Sequence, residues 1–259
     1  MHRDLVSGVL PSPGVPEGRL KTGGSLLKTQ SKRNPSLNFI ITIDGPSGVG
    51  KSSAARSLAA RLGYLYLETG GLYRAIGWKV LQEGIDPEDI EAIRDLCQRI
   101  EISIQNVHGQ TRILVGQKDV TDELKTPTLD RISSVISAMA PVRERLLDLQ
   151  RQMGGQGRVV IEGRDIGSVV FPDAHLKFYL DALMEIRARR RYEELRQRGA
   201  EPALEAVSNE IQFRDHRDIQ RDLAPLKKPE GAIYIDTTHL TLEQVVDRMM
   251  GEIGKRARA

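Results

Sequence analysis

Short unbroken apolar runs alternate along this chain with longer stretches in which an apolar residue returns every three or four positions. Phe39 to Ile43 is the first run, short enough for a buried strand. Ser52 to Leu62 carries Ala, Leu and Arg at helical spacing, and Gly63 closes it where helices commonly stop. Tyr64 to Leu67 predicts a short strand and Glu68-Thr69-Gly70-Gly71 a strand-to-loop junction. Leu72 to Glu83 then restarts a helix with Tyr73, Ile76 and Val80 on one stripe.

Near residue 100 the period changes to two. Ile100, Ile102 and Ile104 alternate with Glu101, Ser103 and Gln105, and His108-Gly109 precedes Thr111 to Val115, which predicts a hairpin. Lys118 to Val120 and a helical stretch from about Thr128 through Ala138 extend this antiparallel insert outside the main sheet. Further strands are expected at Arg158 to Ile161, Leu176 to Leu180 and Ala232 to Ile235. They lead into Glu162, Asp181 and Asp236, where parallel strands open on a ligand crevice. Helical stretches at Val142 to Met153, Leu183 to Arg198, from Leu204 onward, and at Leu242 to Ile253 separate and follow them. That alternation predicts an α/β fold, a parallel sheet flanked by helices.

Composition narrows this picture modestly. With 259 residues and 39% hydrophobic, one full core with an insert can be buried. No apolar run approaches the roughly 18 residues of a membrane span, so no membrane partner is expected. Residues 1–36 hold four prolines, six Lys or Arg and two acidic residues and no sustained period, and are expected to be a disordered extension. The single cysteine, Cys97, lies at helical spacing among Ile93, Leu96 and Ile100 and predicts core packing in a reducing compartment, hence a cytoplasmic location. A net charge of +3 is mild for a nucleic-acid binder, and anionic small ligands account for the arginines equally well.

The chemistry enters with Gly45-Pro46-Ser47-Gly48-Val49-Gly50-Lys51-Ser52, directly after the first strand. This is the G-x-x-x-x-G-K-[ST] pattern. Its glycines let backbone N–H groups converge on phosphate oxygens, Lys51 reaches the outer phosphates, and Ser52 supplies a hydroxyl for Mg²⁺. A helix starting there adds its positive end, so a nucleoside triphosphate ligand, ATP with Mg²⁺, is expected.

Arg214, Arg217 and Arg221 stand at i, i+3 and i+7, each followed by an aspartate (Asp215, Asp218, Asp222). That spacing describes either a self-paired solvated face or a second phosphate site. Glu162-Gly163-Arg164-Asp165, after a buried-looking strand, offers a guanidinium and a carboxylate for a ligand or a surface turn with a local ion pair. A kinase acting on an alcohol would need a carboxylate base, for which Asp44 and Asp165 are the candidates. A slowly hydrolysing nucleotide switch is a further alternative, although it would leave the second arginine set unexplained.

Ile43 to Ser53, Glu68 to Arg74, Ile161 to Phe171 and Arg214 to Leu226 together resemble the bacterial cytidylate kinases, in order and over all but the leader. The resemblance implies a P-loop nucleoside monophosphate kinase fold that transfers the γ-phosphoryl group of ATP to CMP and dCMP. It assigns the core with the phosphate loop to 37–95, an acceptor-binding insert to 96–138, and the rest of the core to 139–259, including a helical lid at about 182–222. It implies that Ser53 joins the loop residues, that Thr69, Arg74 and Arg164 hold the acceptor phosphate, and that Ser134, Arg143 and Asp165 read the cytosine edge. Arg214 and Asp218 would meet the ribose and Arg221 would bridge the two phosphates, with Lys51, Arg164, Arg214 and Arg221 as the catalytic set. Arg190 and its neighbours would belong to the lid. A monomer working on free nucleotides, without nucleic acid, is expected. Glu68-Thr69 stands where the family commonly has Asp-Ser, Glu162 where Asp is common and Ser53 where Thr is common; His216 and Ile219 interrupt a stretch that is often more charged.

Overall fold

A computed structural model of the chain describes residues 38–107, 110–155 and 157–258. The expected extension 1–36 and the His108-Gly109 turn lie outside them. Five apolar strands form the main sheet: β1 (Ile40–Asp44), β2 (Leu65–Glu68), β6 (Val159–Glu162), β7 (Leu176–Asp181) and β8 (Ile233–Asp236). All neighbouring pairs are parallel, in the order β2-β6-β1-β7-β8. Ile41 lies between Val160 and Leu176, and Ile43 between Glu162 and Phe178, so the apolar runs stack at the centre while the acidic strand ends align along one edge. Parallel strands need crossovers, and the crossover helices cover both faces.

On one face, α1 (Lys51–Leu62) and α8 (Leu242–Arg256) bury Ala55, Leu58, Val246 and Met249 against Ile41, Ile43 and Phe178. The start of α8 is fixed by a reciprocal capping box between Thr241 and Gln244. On the other face, Leu67, Val159 and Ile161 meet a single π-helical turn, Ile166–Val170, that periodicity did not predict. α1 opens after Gly50 and closes at Gly63, both with left-handed backbone (φ 90° and 66°) that glycine adopts without steric cost.

The insert is a three-stranded antiparallel sheet, β3 (Ile102–Val107), β4 (Gln110–Val115) and β5 (Lys118–Asp119). It shares a core with α2 (Thr69–Glu83), α3 (Ile90–Arg99), α4 (Pro127–Ile136) and α5 (Ala140–Gly154). Cys97 packs in that core, and burial pushes its thiol up to about 11. Ile100, expected in the strand, instead caps α3, whose last hydrogen bond it closes onto Leu96. The pair α6 (Met184–Gln197) and α7 (Leu204–Gln220) has its own small core of Ala188, Leu195, Val207 and Ile211. Among the described residues, no helix is long and apolar enough to cross a membrane.

Two further expectations needed correction. α2 begins at Thr69, not Leu72, and runs through both glycines. A β-carbon on Gly71 would come 2.6 Å from Ile113 Cδ1, so close packing on β4 accounts for a residue that weakens helices in isolation. α7 ends at Gln220, so Arg221 is not on the helical face with Arg214 and Arg217. It caps the helix in extended backbone, while Leu226 N–H folds back onto the Asp218 carbonyl at 2.7 Å.

Candidate active site

The phosphate loop leaves the carboxyl end of β1 and runs into α1, so its N–H groups and the helix start face one cleft of about 660 Å³. Ser47 through Ser53 line it, as do Thr69, Arg74, Ser134, Arg164, Asp165, Arg214, Asp218 and Arg221. Gly45, Pro46 and Arg143 do not. Gly45 is where the loop passes the sheet: a β-carbon there would sit 2.1 Å from the Leu180 carbonyl oxygen. The Pro46 carbonyl accepts from Lys51 Nζ at 2.6 Å. Arg143 reaches the cleft indirectly, by pairing with Asp165 and donating to the Ser137 carbonyl at 3.1 Å.

Four guanidiniums, from α2, the segment after β6, α7 and its cap, line the same cleft. Arg74 on α2 pairs with Glu68 and, at 3.5 Å, with Asp130 of α4. Arg164 Nε donates to Asp218 at 2.9 Å, and Arg221 lies 3.5 Å from Asp165 and 3.6 Å from Asp218. Arg214 Nε is buried without a hydrogen-bond partner. Burial, then the neighbouring Arg164 charge, lowers the Arg214 pKa from its ordinary value, and the same two causes act in the same order on Lys51. An arginine nitrogen left unpaired beside a second cation is a site short of anions. Arg164 itself is held above its ordinary value, because Asp218, Asp215 and Glu162 outweigh its burial.

Among the residues assigned to the cytosine edge, Ser134 and Asp165 are buried in the cleft wall. Ser134 Oγ accepts from Arg217 Nη1 at 3.0 Å, and the Ser134 carbonyl accepts from Ser137 Oγ at 3.0 Å. Thr69 Oγ1 donates to the Glu162 carbonyl at 2.9 Å. Arg217 thus touches the wall, stacked over Phe213 at 4.8 Å, whereas Asp222 is exposed.

Sequence reasoning missed Asp130, and it left without partners three residues it had named, Arg190, Asp215 and Glu162. Asp130 joins Arg74 and Arg191, and it lies one helical turn before Ser134, a spacing that could have flagged it. Arg190 donates to Thr237 Oγ1 at 3.0 Å and to its carbonyl at 2.7 Å, tying the α6 region to the loop after β8. Asp215 accepts Ser47 N–H at 2.8 Å and pairs with Arg187, a link between distant segments that no local pattern announces. Glu162 accepts from Ser52 Oγ at 2.8 Å; burial, then the Glu68 charge, raises its carboxyl.

A phosphate loop at the end of the central strand of a parallel sheet, facing an arginine-lined second zone across one cleft, defines a P-loop kinase. The cytidylate kinase family model matches residues 41–255. A cytidylate kinase of Geobacter sulfurreducens is 43% identical over 221 residues, 85% of this chain and 95% of that protein. One from Caldanaerobacter subterraneus subsp. tengcongensis is 46% identical over 222 residues, 86% and 97% of the two chains. A third, from Citrifermentans bemidjiense, is 44% identical over 217 residues, 84% and 93%. The chain belongs to the cytidylate kinase family.

Proposed function

We infer that this protein transfers the γ-phosphoryl group of ATP to CMP and dCMP, giving ADP with CDP or dCDP. One observation carries the reading: a partnerless, buried Arg214 nitrogen in a guanidinium cluster that shares its cleft with the phosphate loop. Two anion-binding zones within one cleft suit a donor phosphate chain and an acceptor phosphate. An acceptor phosphate is already ionised near neutral pH, so no general base is required. The two carboxylates that could have served an alcohol acceptor are otherwise engaged. Asp44 accepts two backbone N–H groups and lies outside the cleft, and Asp165 pairs with Arg143 and Arg221.

The chain's own work is alignment and charge neutralisation. Lys51 leaves the Pro46 carbonyl for the outer phosphates, and the loop N–H groups hold the donor. Thr69, Arg74 and Arg164 grip the acceptor phosphate; Arg221 spans the gap, so charge developing on the moving group meets fixed donors. Arg214 and Asp218 take the ribose. Asp165 accepts from the cytosine N4 amine while Ser134 and Arg143 serve the remaining edge, an arrangement that uracil reverses. The insert at 96–138 serves the acceptor and the helices within about 182–222 act as the lid.

Mg²⁺ suits this donor set. No three His, Cys, Asp or Glu side chains among the described residues gather to hold a metal, but Ser52 Oγ with Glu162 beside it offers hard oxygen ligands, as does a phosphate chain. When bound, the ion neutralises charge on the phosphates. We further infer a cytoplasmic monomer acting on free nucleotides.

The test is a coupled assay of ADP formation from Mg²⁺ and ATP with each nucleoside monophosphate in turn. Turnover is expected with CMP and dCMP, with UMP poorer by roughly thirtyfold for each mispaired group. Equal rates with CMP and UMP would refute the base assignment, and turnover with none would refute the acceptor class.

A further inference from the structure

Asp44 ends β1 one residue before the phosphate loop, is completely buried, and does not line the cleft. Both of its oxygens are taken by backbone amides. Oδ1 accepts the backbone N–H of Ile166 at 2.7 Å and Oδ2 that of Gly167 at 2.8 Å. These amides open the π-helical turn Ile166–Val170, where the first N–H groups of a helical segment have no partner within it. The residues immediately before the turn are Arg164 and Asp165. Asp165 caps the turn with irregular backbone (φ −141°, ψ 22°), its carbonyl accepting the Val169 and Val170 N–H groups at 2.9 and 3.3 Å, so its place follows that of the turn.

The contact is also packed shut. A β-carbon at Gly167 would lie 2.7 Å from Thr42 Oγ1 and 3.1 Å from Asp44 Oδ2, so the turn sits directly on the end of β1. Arg143 and Arg221 hold the Asp165 side chain, its carbonyl is held by the turn, and the turn is anchored on the end of β1 through Asp44.

We propose that Asp44 is a positioning residue for the acceptor: by accepting the Ile166 and Gly167 amides, it fixes where Arg164 and Asp165 enter the cleft, and so sets acceptor affinity and base choice. The inference rests on the reading of Asp165 as the group that meets the base. A carboxyl can accept with both oxygens whether or not it is protonated. An amide cannot, because its NH₂ would confront one of the two N–H groups. Asp44→Asn therefore keeps the shape and breaks one anchor. Gly167→Ala attacks the same contact from the other side.

Displacing reacting groups by a fraction of an ångström costs on the order of ten- to a hundredfold. Both variants should raise the KM for CMP by about tenfold or more and lower the preference for CMP over UMP, with the KM for ATP within about twofold of wild type. A purely structural role would instead lower melting temperature and active fraction, leaving KM and preference unmoved, and that result would overturn the proposal. A measurement without variants stands beside it. In the full-length enzyme free of nucleotide, hydrogen exchange at the Ile166 and Gly167 amides should already be slow, and CMP should slow it little further. Rapid exchange at both amides, suppressed only by CMP, would overturn the proposal even if the variants fail to fold. A wild type that uses CMP and UMP alike would defeat the cytosine reading instead, leaving amide exchange to judge Asp44.

Discussion

Lys51 Nζ donates to the Pro46 carbonyl at 2.6 Å, closing the loop on itself where the phosphates would otherwise compete for the ammonium. Its charge acts most strongly on the transferring group, so Lys51→Ala should lower kcat by about a thousandfold and leave the KM for CMP within a few fold. Steady-state kinetics against both substrates checks this; a loss confined to ATP affinity would contradict it. Asp44 gives a prediction of a different kind. Burial lifts its carboxyl from 3.8 to about 7, against the lowering effect of the two backbone N–H bonds. A raised acid binds its proton more tightly folded than unfolded, so its contribution to stability is intact below about pH 4 and is lost as pH rises to about 7. The shift corresponds to roughly 4 kcal/mol in all. Urea unfolding of wild type and Asp44→Asn should show the wild type losing about 2 to 3 kcal/mol relative to the variant between pH 5 and pH 8. A constant difference would mean that the carboxyl titrates normally in the folded chain. At this scale the loop motif was legible because its residues are contiguous, whereas Asp44's true partners lie more than 120 positions away in the chain.

The strands of the main sheet could be read from short apolar runs leading into Glu or Asp, because fully buried parallel strands admit little else. The start of α2 could not, since Gly70-Gly71 reads as a break until β4 is seen to need the space. Nor was the attachment of α6 and α7 visible. Arg187 donates through Nε to the Ala182 carbonyl and through Nη1 to the Ser47 carbonyl, each at 3.1 Å, and pairs with Asp215, which takes the Ser47 N–H. The two helices are thereby fastened to the phosphate loop, and α7 also carries Arg214 and Asp218 into the same cleft, where the proposed acceptor zone lies. Because both zones hang on this joint, Asp215→Ala should raise the KM for ATP and for CMP together. It should also destabilise the fold by about 3 kcal/mol or more, because Arg187 is left as a buried, unpaired charge. Arg187→Lys should not rescue, since an ammonium cannot reproduce three directed contacts from one planar fork. Thermal unfolding with two-substrate kinetics decides it, and a rise in the KM for ATP alone would show that the joint does not reach the acceptor.

Taken whole, the molecule gathers the phosphate loop, with Lys51, and the guanidiniums of Arg74, Arg164, Arg214 and Arg221 in one cleft, where the proposed donor and acceptor zones meet. Arg164 lies close enough to depress both Lys51 and Arg214, although one belongs to the loop and the other to α7. An empty cleft of this kind carries repulsion that either substrate relieves only in part. A single ligand that fills both zones relieves all of it and loses its translational freedom once instead of twice. Adenosine and cytidine joined through five phosphates should therefore bind more tightly than ATP alone by on the order of a hundred- to ten-thousandfold. The gain should shrink as salt is added, because the repulsion being relieved is electrostatic. Replacing cytidine by uridine at the far end should remove part of the gain, since the uracil edge leaves Asp165 and Ser134 mismatched. Isothermal titration calorimetry over a series of salt concentrations tests the arrangement directly. Affinity no better than that of ATP would mean that the two zones cannot be occupied by one chain of phosphates, and the cleft could not then support in-line transfer between them.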